Sequence, residues 1–174
     1  MNKTAVLYGP VGGSTENVAK MIVEQLGADK CDIHPVKGKD KEILGNYKNL
    51  ILGIATIGTE TWHSEPAKSG WFTFINELKE SDLEGKVIAL FGLGDHIRYP
   101  DHFVDAMGEL YNVLVNKGIE PVGKVDPSGY EFNDSGAIVD NMFVGLPIDE
   151  VFQPDLTEKR IKEWLNVILP HFHD

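Results

Sequence analysis

The stretch "YGPVGGSTENVA", Tyr8–Ala19, decides the fold. It follows "KTAVL", a β-branched and apolar run, and leads into "KMIVEQL", where Val18, Met21, Ile22 and Leu26 recur at helical spacing. A strand therefore stops, a Pro and two glycines turn the chain, and a helix begins behind two hydroxyl residues. Successive backbone N–H groups at such a helix start favour an anion, and Gly12 and Gly13 permit close approach. The turn lacks the Lys of a nucleotide-hydrolase loop and the G-x-G-x-x-G spacing of a dinucleotide site. Any phosphate here is held by amides, by the Ser14 and Thr15 hydroxyls and by the helix dipole. The same residues also suit a plain strand-to-helix turn.

Working outward, apolar runs recur at Thr4–Tyr8, Cys31–Val36, Asn49–Ala55, Lys86–Gly92 and Met142–Leu146, with Ile119–Val125 shortly before the last. Helical patterns alternate with them. One holds Trp71, Phe74, Ile75 and Leu78. A second holds Phe103, Ala106, Met107, Leu110, Tyr111 and Leu114, and "NKG" at Asn116–Gly118 stops it. A third holds Ile161, Trp164, Leu165, Ile168 and Leu169, with Asp155 and Glu158 read as a capping box. Strands with near-continuous apolar content, alternating with helices, predict an α/β doubly wound parallel sheet covered on both faces. One polar stretch, Asp126–Asn141, breaks the alternation and is too long for an ordinary loop. With 174 residues and no linker or repeat, a single domain over 1–174 is expected.

In open sheets of this kind ligands bind beyond the carboxyl ends of the strands. Three loops qualify: "GPVGGST", "TIGTETWHSEPAKSGW" and "LGDHIRYPDHF". The second carries Trp62 among polar neighbours, and the third carries Tyr99. Two aromatic rings beside a phosphate cradle suggest a flat aromatic ligand bearing a phosphate. A metal site from His96, Asp101 and His102 lacks a recurrent ligand spacing and is set aside.

Composition narrows the function classes. The formal net charge is −11 and opposes nucleic acid, whose phosphates reward basic surfaces. It suits steering toward basic protein partners. No apolar run approaches the ~20 residues of a membrane span, and the N-terminus carries no signal-peptide pattern. The one cysteine, Cys31, cannot form an internal disulfide and reads as a small apolar residue opening a strand. A cytoplasmic location is the expectation.

Taken together, "YGPVGGSTENVA", "ETWHSEPAKSGW", "FGLGDHIRYPDHF", "DPSGYEFNDSGA", "FVGLPIDE" and "DLTEKRIKEW" resemble the flavodoxins of the long-chain type along nearly the whole chain. The segment "GYEFNDSGA…FVGLPIDE" is similar to the piece that interrupts the last strand in those proteins. The resemblance implies five strands in the order 2-1-3-4-5 with an insertion in the last, and a non-covalent flavin mononucleotide (FMN). It implies that Pro10, Val11, Gly12, Gly13, Ser14 and Thr15 hold the phosphate. Trp62 would cover one face of the isoalloxazine and Tyr99 the other, with Thr61 and His63 beside Trp62 among the cofactor-binding residues. The backbone of Leu93, Gly94 and Asp95 would meet the pyrimidine edge, with His102 nearby.

The likeness also implies an electron carrier rather than an enzyme. It would transfer single electrons at low potential, in place of a ferredoxin, between a flavodoxin or ferredoxin reductase and acceptor oxidoreductases, and would be monomeric. Two departures from the family pattern stand out. The family's phosphate loop reads T-x-T-G-x-T, and here Pro10 and Gly12 replace its first two threonines. At ~0.5–1.5 kcal/mol per neutral hydrogen bond, the loss predicts an affinity lower by about one to two powers of ten. The Trp loop is also longer than usual. The family's Thr-Trp pair aligns with Thr61-Trp62 or, with another gap, with Thr56-Ile57. The carbonyl facing the ring's N5 edge would then come from His63 or from Gly58.

Two rivals remain. A flavin-dependent quinone or nitro reductase on the same fold would need a nicotinamide pocket. A phosphate-receiver domain would need acids after the first and third strands, where Tyr8-Gly9-Pro10 and Ile54-Ala55-Thr56 stand instead.

Overall fold

A computed structural model describes residues 3–38, 40–56 and 70–174. Ile57, Gly58, Thr61, Trp62 and His63 lie outside the described residues, so the two alignments of the Trp loop are not distinguished.

Strands β1 (Thr4–Gly9), β2 (Cys31–Pro35), β3 (Asn49–Ala55), β4 (Val87–Leu93) and β7 (Leu146–Ile148) form one sheet in the order β2-β1-β3-β4-β7. All four pairings are parallel, with Thr4 opposite both Cys31 and Asn49, and Leu93 opposite Ile148. The helices are α1 (Ser14–Leu26), α2 (Lys41–Asn46), α3 (Trp71–Glu80), α4 (Asp105–Asn116) and α5 (Pro154–Ile168).

Alternation along each strand sends side chains to two separate cores. Ala5, Leu7, Leu50, Leu52, Ile54, Ile88 and Leu90 meet the buried faces of α3 and α4 on one side. Val6, Tyr8, Ile51, Ala89, Phe91 and Leu93 meet α1 and α5 on the other. The apolar spacing read for α3 is wholly buried: Trp71, Phe74, Ile75 and Leu78 have no exposed surface. Each such side chain contributes about 1.5–3 kcal/mol relative to remaining in water.

Three sequence expectations need correction. Met142–Leu146 is not one strand. Met142–Phe143 (β6) pairs antiparallel with Ile138–Val139 (β5) in a two-stranded hairpin, and only Leu146 onward joins the sheet. The hairpin's two turn residues, Asp140 and Asn141, have φ of 52° and 62°, the positive values that a two-residue turn matched to strand twist requires. The capping box at Asp155 is also absent. The N-cap is Gln153 and Pro154 sits in the first turn, where its fixed φ suits a helix start and its missing N–H costs nothing. The helix therefore begins earlier than the Asp155 reading placed it. Third, Leu169 is exposed on a closing 3-10 turn, outside the helix that the apolar spacing assigned it to.

The polar stretch Asp126–Asn141 belongs to an insertion in the last strand. Val122 bridges Ala89 in parallel, and Leu146–Ile148 resumes the same edge beside Phe91–Leu93. The insertion is anchored by apolar contacts despite its composition. Phe143 is fully buried, with the rings of Tyr130, Phe132 and Phe103 at 5.3, 5.1 and 5.9 Å from its own. Among the described residues, no helix is long and apolar enough to cross a membrane.

Candidate functional site

The sheet order reverses between β1 and β3, and a crevice opens there at the strands' carboxyl ends. A cleft of about 360 Å³ occupies it, within the usual range for small-molecule sites. Pro10, Gly13, Ser14 and Thr15 line one end, following β1. Leu93, which ends β4, and Gly94, Asp95 and Tyr99, which follow it, line the other. Ala55 and Thr56 form the floor between them, and Arg98, Glu150 and Val151 complete the far wall. Val11, Gly12 and His102 do not line the cleft. Thr61, Trp62 and His63 lie outside the described residues.

The first end is built from backbone. Helix α1 starts at Ser14, and its N-cap, Gly13, has no side chain with which to cap it. Among the described residues nothing accepts from the N–H groups of Gly13, Ser14, Thr15 or Glu16. Such donors, with the positive end of the helix dipole, can hold an anion. Thr15 is only 2% exposed. The neighbouring Gly12 N–H is taken by the Glu16 carboxylate at 2.7 Å. Glu16 also pairs with Lys20 at 2.7 Å. The Lys20 ammonium, and then the Gly12 N–H, hold its carboxyl below the usual range. Burial first, and the charge of Glu16 second, push the Tyr8 hydroxyl upward.

Carboxylates shape the second end. Asp95 accepts from the N–H groups of Ile97 (3.2 Å) and Arg98 (2.8 Å), closing an Asx-type turn, and also accepts from Arg98 Nε. Tyr99 N–H donates to the Asp95 carbonyl at 3.1 Å, and the exposed Tyr99 lines the cleft. Gly94 N–H donates to Ile148 O, and Thr56 N–H to Leu93 O. Thr56 also accepts from Ala106 N–H at 2.9 Å, capping α4 from a different strand. The metal reading finds its histidines engaged separately. His96 faces Asp149, and His102 Nδ1 lies 3.0 Å from Asp105.

Sequence reasoning left out Ala55, Arg98, Glu150 and Val151, and reached Thr56 only as the start of the second loop and through the alternative alignment. The carboxyl-end rule alone points to Ala55–Thr56 and to the residues after Ile148, because it applies to every strand. The misplaced last strand hid the second of these.

A family model described as flavodoxin matches residues 6–164. The chain is 40% identical to flavodoxin 1 of Salmonella typhimurium over 171 residues, covering 98% of this chain and 94% of that one. It is 39% identical to a flavodoxin of Nostoc sp., covering 98% and 97%. Among solved structures, Fusobacterium nucleatum flavodoxin bound to flavin mononucleotide superposes with a TM-score of 0.89 at 32% identity, covering 99% of this chain and 100% of that one.

Proposed function

The chain belongs to the flavodoxin family, and from that premise we propose that its cleft holds one FMN and that its 174 residues act as one domain carrying single electrons at low potential. The observation that carries this reading is the pairing of α1's unspent N-terminal amides with a cleft of about 360 Å³ lined by Tyr99, Ala55 and Thr56. One end suits a phosphate and the other a flat ring. FMN supplies one-electron chemistry through its isoalloxazine, which neither Tyr nor the backbone provides at low potential.

The chain's own residues have distinct parts in this proposal. The N–H groups of Gly13 to Glu16 bind the phosphate oxygens, and Thr15 adds a hydroxyl donor. Tyr99 covers one ring face and excludes water from it. Leu93, Gly94 and Asp95 present backbone groups to the ring's polar edge. Further negative charge on the ring is opposed by the phosphate, by Glu150 and by the net charge of −11. Arg98 is the one cation lining the cleft among the described residues, and its charge is largely offset by Asp95. That setting favours a low potential. It also disfavours the rival quinone or nitro reductase, which needs basic groups for a nicotinamide dinucleotide. Val11, Ile97, Val151 and Phe152 are exposed apolar residues. They suit brief docking of redox proteins, as small interfaces of this kind do. The partners in the proposal are a flavodoxin or ferredoxin reductase and acceptor oxidoreductases, met by a cytoplasmic monomer.

Purified protein should be yellow and should release FMN, identified by absorption and mass spectrometry. Release of the adenine dinucleotide alone, or oxidation of NADPH without a partner protein, would overturn the reading.

A further inference from the structure

The far wall of the cleft rests on a buried carboxylate that the cofactor reading leaves without a role. Asp149 follows β7 and has no exposed surface. It accepts from the N–H groups of Val151 and Phe152, both at 2.9 Å, within its own turn. Its other oxygen accepts from His96 N–H at 3.0 Å and from His96 Nδ1 at 2.5 Å. Donation from Nδ1 sets the imidazole tautomer. The ring of His96 is 7% exposed and stands edge-on to Phe103 and Phe152, with centroids 6.3 and 6.1 Å away.

Asp149 thus binds together two loops that meet only in the tertiary structure. One carries Gly94, Asp95, Arg98 and Tyr99, and the other carries Glu150 and Val151. The Gly94–Ile148 hydrogen bond fixes the root of the first loop, and Arg98 lies over Phe152 at 5.8 Å on the exposed side. The His96–Asp149 contact is the buried tie between them. A carboxylate enclosed in protein is tolerated only when donors surround it, so the tie resists opening.

We propose that His96 and Asp149 are a positioning pair for the isoalloxazine ring, holding the slot between the loops after β4 and β7 at the width the ring needs, independently of the phosphate cradle. The proposal rests on the flavin reading above. Neither residue lines the cleft, so their influence passes through Gly94, Asp95 and Tyr99 on one side and Glu150 and Val151 on the other.

The test uses full-length apoprotein of the wild type, His96→Ala, His96→Gln and Asp149→Asn. FMN and riboflavin affinities are measured by fluorescence quenching, with the visible absorption and circular dichroism of the bound flavin and the thermal unfolding of each protein. His96→Ala should weaken both ligands equally, by about tenfold, and should alter the flavin's dichroism. His96→Gln keeps a side-chain donor and should restore most of the affinity. Asp149→Asn retains an acceptor for Val151 and Phe152 and should resemble His96→Ala. If it fails to fold, the two His96 variants decide. Lower thermal stability with unchanged affinity and dichroism would overturn the pair's positioning role, as would a loss confined to FMN. A wild type that takes up neither flavin would overturn the flavin reading as well. A wild type that binds both, with variants that match it, would overturn this proposal alone.

Discussion

The two ends of the cleft are built on opposite plans. At the β1–α1 turn the chain offers backbone: glycines, unspent amides and a helix dipole. At the β4 and β7 loops it offers side chains that hold backbone in place, with Asp95 closing one turn and Asp149 joining two. An amide-built site recognises charge and tolerates side-chain change, because every residue except Pro carries the same donor. A carboxylate-pinned site depends on particular residues, because removing one partner leaves buried donors unsatisfied. This difference makes room for Pro10 and Gly12 in the turn, since helix α1 still starts at Ser14 with its amides unspent.

The largest expected effect contrasts Gly94, at the second end, with Gly12, in the turn that leads into the first. A Cβ on Gly94 would stand 2.9 Å from Val104 Cγ1 and 3.0 Å from both Phe103 Cδ2 and Val104 N. Gly94→Ala should therefore destabilise the apoprotein by about 1–3 kcal/mol through overpacking. A Cβ on Gly12 would meet nothing within 4 Å, although φ there is +85°. Gly12→Ala should cost about 1 kcal/mol of backbone strain alone. Thermal or urea unfolding of both variants checks the order, and a reversed order would break the comparison.

A smaller effect separates the ends by ligand. Thr15→Ala should weaken FMN by about 0.5–1.5 kcal/mol, the scale of a neutral hydrogen bond, and leave riboflavin nearly unchanged. It would then be the mirror of His96→Ala, which acts on both ligands. Equal losses for FMN and riboflavin would mean that Thr15 supports the fold of the turn instead.

The smallest effect is a pH dependence that Asp149 brings to the carboxylate end. Burial disfavours the charged form of Asp149, but the N–H groups of Phe152 and His96, the His96 ring and the Val151 N–H outweigh it and hold the carboxyl below its usual range. A depressed folded-state pKa means stability that is fully present above the unfolded value of about 3.9 and lost as pH falls through the folded value. The stability difference between wild type and Asp149→Asn should therefore shrink as the pH is lowered below about 4. A difference that stays constant to the acid limit would show that the ionised form is not what these donors prefer.

The first end was legible because its signal is local. Tyr8–Ala19 holds the strand end, the glycines and the helix start in one run of residues. Leu93–Asp95 and Tyr99 were legible for the same reason, through a motif contiguous in the chain. The far wall was not. His96 and Asp149 are 53 positions apart, and the apolar run that marks the last strand, Met142–Leu146, ends where Leu146–Ile148 begins to pair with the sheet. That offset moved the carboxyl end of the strand away from Glu150 and Val151. The hairpin of β5 and β6 drew the apolar signal of Met142 and Phe143 to itself, and an apolar run alone does not say which partner it pairs with.

The sequence by itself determined the alternation of strand and helix, the two-sided burial of the sheet and the glycine turn between β1 and α1. Each follows from periodicity or from the conformational freedom of glycine, whereas the interruption of the last strand was implied only by the likeness to known proteins. Only the tertiary structure decided that Thr56 caps α4, that Asp149 locks the loop of His96 to the end of β7 and that His102 faces Asp105 rather than the cleft. Those contacts depend on which strands become neighbours and in what register. That is set by the packing of both cores at once, so no single segment of the chain records it.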